Sequence, residues 1–391
     1  MIARIRSYAS LCEAQDELSR LGFENCIKDV EDVDGLIFCF VEDERELPSS
    51  SEFEKIARTH SCVVGKSRSR KFFRYLMIGS PSAYREMLDH HADNEVIAHI
   101  NIALKNFKSS KVAPVPLMRH QLSFERTLVM GILNVTPDSF FDGGTYIDKE
   151  KAVRRVFEMV DEGADIIDIG GESTRPFSTP VPENIELQRV MPVLQEIVPC
   201  ISIPVSIDTR KPRVAEKAIE LGAEIINDVS GLRDPQMLEV ISEMGVPVIV
   251  MHMLGDPQTM QLNIHYEDVI GEIAYFLAKS MKEAEKRDVD TRKIIIDPGI
   301  GFGKETEHNL EILRRLKELR CLGRPILVGA SRKTFIGKIL DLPKEERLEG
   351  SLASAAISVM NGADILRVHD VKETVRVCRL VDAVFKSSCS K

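Results

Sequence analysis

Seven short apolar runs in the carboxyl-terminal two thirds of the chain end in a polar group that can do chemistry: Asn134, Glu172 with Thr174, Asp208, Asn227, His252, Asp297 and Lys333. An eighth ends in Arg367 with His369. Lys333, Arg367 and His369 deliver positive charge or N–H donors, which suits an anion such as a phosphate. Alternate strand residues share a face, so Arg367 and His369 point the same way, as do Ser206 and Asp208. A carboxylate only accepts hydrogen bonds, an ammonium only donates and an amide does both, so Asp208, Asn227, Asp297 and Lys333 together suit a flat heterocycle with amino donors and carbonyl or ring-nitrogen acceptors. Asp297 is followed by Pro298-Gly299-Ile300-Gly301-Phe302-Gly303-Lys304, whose glycines permit close backbone approach. Their spacing is not that of a P-loop, which excludes a nucleotide-triphosphatase on this motif.

These residues need a scaffold that brings distant strand ends together. From about Thr127 onward, strand-like runs beginning at Leu128, Ala164, Pro204, Glu224, Pro247, Lys293, Pro325 and Ala363 alternate with helical patterns. The helices are expected at 149–163, 183–198, 212–222, 235–245, 267–287, 307–319, 348–362 and 372–385. Eight β-α units over about 265 residues match a closed (β/α)8 TIM barrel, in which the loops after the strands build the site at one mouth. A doubly wound open sheet is the competitor, but no Gly-x-Gly-x-x-Gly follows the first strand. For any one of the polar residues a plainer role is open: Asn227 or His252 could satisfy backbone groups, and Asp208 could cap the next helix. Their repetition at one pole is what points to a site.

The α/β barrel is expected over residues 121–391, preceded by a smaller α+β domain over residues 1–120, with the two prolines of 112–116 as linker. The amino-terminal part carries a helical pattern near Leu11–Leu21 and strand-like runs at 35–41 and 74–78, and no catalytic pattern. Its run of Lys66, Arg68, Arg70, Lys71 and Arg74 beside Phe72 and Phe73 could meet RNA, but the solvated face of an edge strand explains it more simply. A net charge of −9 argues against broad nucleic-acid binding, so an anion site must be local. No apolar run approaches the roughly 20 residues of a membrane-spanning helix, and the amino terminus lacks a signal-peptide core, so neither a membrane nor a nucleic acid is expected as partner and the protein reads as cytoplasmic. None of the 8 cysteines forms a Cys-x-x-Cys pair, and no zinc or redox motif is indicated.

The motifs Gly131-Ile132-Leu133-Asn134-Val135-Thr136-Pro137-Asp138-Ser139-Phe140, Gly171-Glu172-Ser173-Thr174-Arg175-Pro176, Ser206-Ile207-Asp208-Thr209, Asn227-Asp228-Val229-Ser230-Gly231, Met251-His252-Met253, Asp297-Pro298-Gly299, Ser331-Arg332-Lys333 and Arg367-Val368-His369-Asp370 occur in order across 127–386. Together they closely resemble the dihydropteroate synthase family; residues 1–120 lie outside the resemblance. It implies condensation of 6-hydroxymethyl-7,8-dihydropterin diphosphate with para-aminobenzoate to 7,8-dihydropteroate and diphosphate. By motif position it implies that Asp208, Asn227, Asp297 and Lys333 hold the pterin ring, with Met251 among the substrate-binding residues. Asn134, Arg367 and His369 would hold the diphosphate, Asn134 through Mg2+. Asp142, Thr174, Arg175 and Pro176 would come from mobile loops to the second substrate, and the Thr334 N–H would meet its carboxylate. The catalytic group implied is Asp142, Lys333, Arg367 and His369, and a homodimer is expected. Phe177 stands where the family commonly has glycine, which admits a para-aminobenzoate with a larger substituent. A pterin-dependent methyltransferase of the same barrel superfamily would explain the ring contacts but not the gathered cations, and a non-catalytic pterin-binding protein would not need the full polar set.

Overall fold

The structure, a computed structural model, describes all residues except 29, 48–49, 110, 137–148, 174–177 and 386–391. It contains two compact units, one comprising Met1–Ser110, Tyr266–Ala278 and Lys317–Gly323, the other Lys111–His265, Lys279–Leu316 and Arg324–Lys391.

In the first unit β1 (Ile2–Arg6), β2 (Ile37–Asp43), β3 (Val63–Arg68) and β4 (Phe73–Gly79) form an antiparallel sheet in the order β1-β2-β4-β3. Helices α1 (Leu11–Arg20), α2 (Glu24–Ile27), α3 (Ser50–Thr59), α4 (Pro81–His90) and α5 (Glu95–Lys108) alternate with the strands. Their starts are written in sequence: the Ser10, Ser80 and Asn94 side chains accept from first-turn N–H groups of α1, α4 and α5. Lys66 and Arg68 lie on edge strand β3, each over the Phe73 ring. The unit also buries charge. Arg4 pairs with Asp268, Glu318 and Glu42, Arg6 with Glu17 and, at 2.9 Å, with Glu318, and Arg74 Nε reaches Glu42 at 3.0 Å.

The second unit opens with a hairpin of β5 (Val115–Pro116) and β6 (Gln121–Leu122), then runs β7 (Leu128–Asn134), α6 (Lys149–Asp161), β8 (Ile166–Gly170), α7 (Glu183–Ile197), β9 (Val205–Asp208), α8 (Pro212–Glu220) and β10 (Ile225–Asp228). It continues with α9 (Pro235–Met244), β11 (Val248–Met251), α10 (Val269–Glu285), β12 (Ile294–Asp297), α11 (Thr306–Arg315), β13 (Leu327–Val328), α12 (Thr334–Leu340), α13 (Leu348–Met360), β14 (Ile365–Val368) and α14 (Val371–Phe385). The first ten residues of α10, through Ala278, belong to the first unit. The parallel strands lie in the order β12-β11-β10-β9-β8-β7-β14-β13, and an Ile296–Ile326 bridge joins the two ends, as the (β/α)8 expectation requires. Each expected strand start falls within two residues of the observed one. Strand β13 is the weakest, with only Leu327 and Val328 in ladder geometry.

The two ends of the barrel differ in chemistry. Near the amino ends of the strands, Leu128, Ile166, Ile225, Ile249, Ile295, Leu327 and Ile365 pack into one apolar cluster that also takes Val115 and Leu122 from the hairpin. Each such side chain, fully buried, stabilises by about 1.5–3 kcal/mol, and the layer leaves no room for a ligand. Polar inward positions begin one layer higher, with Asp168 and Ser206 side by side on β8 and β9, and Asp208 beside Asn227 on β9 and β10.

Candidate active site

A cavity of about 660 Å³ opens at the carboxyl ends of the strands. Of the residues singled out from sequence, Asn134, Lys333, Thr334, Arg367 and His369 line it. Asp208, Asn227, Met251 and Asp297 sit buried at the ends of β9, β10, β11 and β12, with Asp297 paired to Met251 across the ladder. Asp142, Thr174, Arg175 and Pro176 lie outside the described residues. Among the described residues the lining carries seven lysine and arginine side chains against a single carboxylate, Glu305, on a chain of net charge −9. That asymmetry draws an anion to this mouth.

Arg367 stands at the centre. Its Nε and one terminal nitrogen donate to Asp168 Oδ2 and Asp208 Oδ2, each at 2.6 Å, and Asn227 Nδ2 reaches the same Asp168 oxygen at 3.1 Å. A residue expected at the diphosphate is thus bonded to one expected at the ring. Burial opposes charge on the guanidinium, but Asp168 and Asp208 outweigh it and hold Arg367 above its ordinary range. Asp208 moves the other way from a simple ion pair. Burial pushes it up to about 7, with Arg367 opposing and the neighbouring Asp168 reinforcing. Asp168 Oδ1, Asp208 Oδ1 and Ser206 Oγ have no partner among the described residues. Buried oxygens are rarely left so, because desolvation without a hydrogen bond costs about 1–3 kcal/mol, and this group can accept from N–H donors.

Lys333 is aimed by a strained turn. Arg332 holds φ at +54°, a region costly for a residue with a Cβ. It is kept there by two bonds of 2.8 and 2.7 Å from its guanidinium to Asp370, by its N–H donating to Ser351 Oγ at 2.8 Å, and by Arg347 donating to its carbonyl at 3.3 Å. The Lys333 ammonium then rests over the Phe302 ring, 4.1 Å from its centre.

His369 was expected with the cations, yet its ring is neutral at pH 7. Burial pulls it down to about 3, and Arg367 and Lys344 add to that against Asp370. Ser331 Oγ accepts the His369 backbone N–H at 3.2 Å and lies 3.1 Å from Nδ1. The hydroxyl can either give its proton to Nδ1 or accept one from it, and in the tautomer where it gives, Nε2–H is the donor left for a ligand oxygen.

The loop after β12 is folded hard against the end of β11. Gly299, at φ +68°, would place a Cβ 2.0 Å from the His252 carbonyl oxygen, so only glycine fits. Its N–H donates to Asp297 Oδ1 at 2.7 Å, and His252 N–H donates to the Asp297 carbonyl at 2.9 Å. Burial pushes Asp297 up to about 6 against the Gly299 N–H, Lys333, Lys304 and Arg367.

Other expected groups serve the frame. Glu172 is tied to Arg210 at 2.9 Å and to Lys211, and Met251 packs with Val229, Met253 and Met260 in an apolar cluster behind Phe302. Sequence reasoning overlooked Asp168, Arg332 with Asp370 as a brace, and Lys304. Asp168 was legible as an acid two positions before the last residue of a buried strand. The brace had no local signal, since its partners are 38 residues apart.

Residues 130–369 match the family described as pterin binding enzyme. With a barrel whose mouth gathers cations, buried carboxylates and an amide, the chain belongs to the pterin-binding enzyme family. It is 47% identical over 263 residues to dihydropteroate synthase of Escherichia coli strain K12, covering 67% of this chain and 93% of that one. To dihydropteroate synthase of Bacillus subtilis strain 168 it is 47% identical over 261 residues, covering 66% and 89%. Among solved structures, Xanthomonas albilineans dihydropteroate synthase with 4-aminobenzoic acid matches at TM-score 0.67 and 44% identity over 70% of this chain and 98% of that one. The enzyme from that organism in complex with 7,8-dihydropteroate matches at TM-score 0.64 and 41% identity over the same shares.

Proposed function

We propose that this chain is a dihydropteroate synthase: it joins 6-hydroxymethyl-7,8-dihydropterin diphosphate to para-aminobenzoate, a step of folate biosynthesis, releasing 7,8-dihydropteroate and diphosphate. The observation that carries the reading is the juxtaposition around Arg367. On one side lie partnerless carboxylate oxygens with Asn227, matched to ring N–H groups, and around the cavity lie cations in excess, matched to the leaving group.

In this reading Asp208, Asn227, Asp297 and Lys333 hold the ring, and Met251 supports it from behind. The carbon–oxygen bond at the pterin methylene breaks, its electron pair leaves with the diphosphate, and the electron-rich ring spreads the positive charge left behind. The arylamine nitrogen closes the new carbon–nitrogen bond and passes its proton to the departing diphosphate. Arg367 and the neutral His369 Nε2–H steady the outgoing oxygens, and preorganised donors of this kind supply a large share of rate enhancement. Thr334 at the cavity wall meets the second substrate's carboxylate through its backbone N–H, and Asp142, Thr174, Arg175 and Pro176 would come to that substrate and keep water out.

Asn134 lines the cavity with a neutral amide oxygen, and no group of three or more His, Cys, Asp or Glu gathers to hold a metal among the described residues. That donor set fits Mg2+ arriving with diphosphate oxygens and not a cage built by the protein. When bound, Mg2+ would supply further positive charge at the leaving group.

A homodimer is part of the proposal. Helices α13 and α14 expose Ile357, Met360, Leu380, Val384 and Phe385, apolar surface that a second copy would cover. No helix among the described residues is long and apolar enough to cross a membrane. The domain division near residue 120 and a cytoplasmic location complete the reading, with no nucleic-acid partner.

The test is incubation of the full chain with the pterin diphosphate, para-aminobenzoate and Mg2+. Equal yields of diphosphate and dihydropteroate are expected, and absence of both rejects the assignment. Repeating it with ring-substituted para-aminobenzoates decides how large an amine the site takes.

A further inference from the structure

The mechanism above leaves one buried amine unused. Lys304, 4% exposed, lies at the end of the glycine-rich loop and lines the cavity. Its Nζ lies 2.9 Å from His252 Nδ1, 3.0 Å from the Phe302 carbonyl and 3.3 Å from the His252 carbonyl. Lysine is rarely buried so fully unless paired, and among the described residues no carboxylate is hydrogen-bonded to it. The three acceptors come from the strand end on one side and the loop on the other, so the amine ties the loop down where it carries Asp297 at its start and Phe302 in its middle.

We propose that Lys304 is a positioning residue for pterin recognition: its buried ammonium holds the loop after β12 against the end of β11 and so fixes the place of Asp297 as an acceptor for ring N–H groups. The proposal rests on the pterin-binding reading of this site. Asp297 is faced by Lys304 from its own loop, His252 from the end of β11, Lys333 from beyond β13 and Arg367 from β14. Lys333 acts on Asp297 more strongly than Lys304 and Arg367 less, but Lys333 rests over the Phe302 ring and Arg367 is bonded to Asp168 and Asp208. Only Lys304 among these cations is also hydrogen-bonded, among the described residues, to both the loop and the end of β11.

The charges support this. Burial pulls Lys304 down to about 7, with Asp297 opposing and Lys333 reinforcing, while Asp297 stands at about 6. Each charge favours the other. As pH falls, Asp297 takes a proton and ceases to be a pure acceptor; as pH rises, the amine loses its charge and the loop loses one donor.

The test is calorimetric binding of 6-hydroxymethyl-7,8-dihydropterin to the full chain from pH 5 to 9, alongside steady-state kinetics. In Lys304→Met the acid limb of pterin affinity should move up by about one pH unit, because Asp297 then lacks the ammonium. The KM for the pterin diphosphate should rise about tenfold or more, kcat should fall less, and the KM for the amine should stay put. Lys304→Arg, charged throughout, should restore the acid limb. A folded Lys304→Met protein whose acid limb stays in place overturns the proposal. If that variant does not fold, a folded Lys304→Gln protein with an unmoved acid limb and an unchanged KM for the pterin diphosphate overturns it instead. Failure of the wild-type chain to bind the pterin at any pH would instead reject the pterin-site reading itself.

Discussion

Replacing Arg367 with alanine removes the one guanidinium between Asp168 and Asp208 and leaves two buried carboxylates without it. At an effective dielectric of about 20, two unit charges about 4 Å apart interact by ~4 kcal/mol. Breaking a buried pair from one side costs about 3–5 kcal/mol in practice, because the remaining charge is stranded. Arg367→Ala should therefore lose about 3–5 kcal/mol of stability at pH 8, read as the shift in urea unfolding at constant slope. The loss should depend on pH. Asp208 is raised in the folded state to about 7, so its contribution to stability is full below the ordinary carboxylate range and is lost as pH rises through 7. Without Arg367 the folded value rises further and the penalty of ionisation grows. At pH 5, with Asp208 protonated in both proteins, the part of the loss carried by Asp208 should shrink to about 1–2 kcal/mol, the worth of its hydrogen bonds, so the total should be smaller than at pH 8, with the stranding of Asp168 left in it. The double variant Arg367→Ala/Asp208→Asn should recover part of the loss at pH 8. A penalty that is equal at pH 5 and 8, or absent at both, would refute the ion-pair reasoning.

Further outcomes follow from the same geometry. Arg367→Ala should also depress turnover far more than affinity for the free pterin ring, and equal losses in both would contradict a leaving-group role. Gly299→Ala must move the His252 carbonyl and hold φ +68°, so a loss of several kcal/mol with weakened pterin binding is expected, measured by unfolding and calorimetry. Asp370→Ala removes both guanidinium bonds that brace Arg332, and kcat/KM should drop about tenfold or more with little change in melting temperature. A chain beginning at residue 120 strips Arg4 and Arg6 from Asp268 and Glu318, and it should be poorly soluble or melt well below the full chain. Equal stability of the two would show that those acids manage without their partners.

The barrel was legible because each β-α unit repeats the same signal, an apolar run, a polar residue and a helical period, and eight repeats outweigh errors at any one boundary. Even two-residue β13 was found, since Ile326, Leu327 and Val328 read as a strand whatever their ladder bonds. Site residues at strand ends were legible for the same reason. What escaped were relations between residues far apart in sequence. Nothing near Arg332 announces that Asp370 braces it, and nothing near Asp268 or Glu318 announces Arg4. Charge state was equally hidden: His369 reads as a cation beside Arg367, and only its burial makes it neutral. Lys304 reads as a loop lysine until its three acceptors are seen.

The central claim is spatial: one ligand spans the Asp208, Asn227 and Asp297 end of the mouth and the Arg367 and His369 end. A crystal structure of the full chain with the pterin diphosphate tests it most directly. The ring should bond to Asp208, Asn227, Asp297 and Lys333, with diphosphate oxygens at Arg367 and His369 Nε2. A ring bound outside this mouth, or a diphosphate turned away from Arg367, would contradict the account.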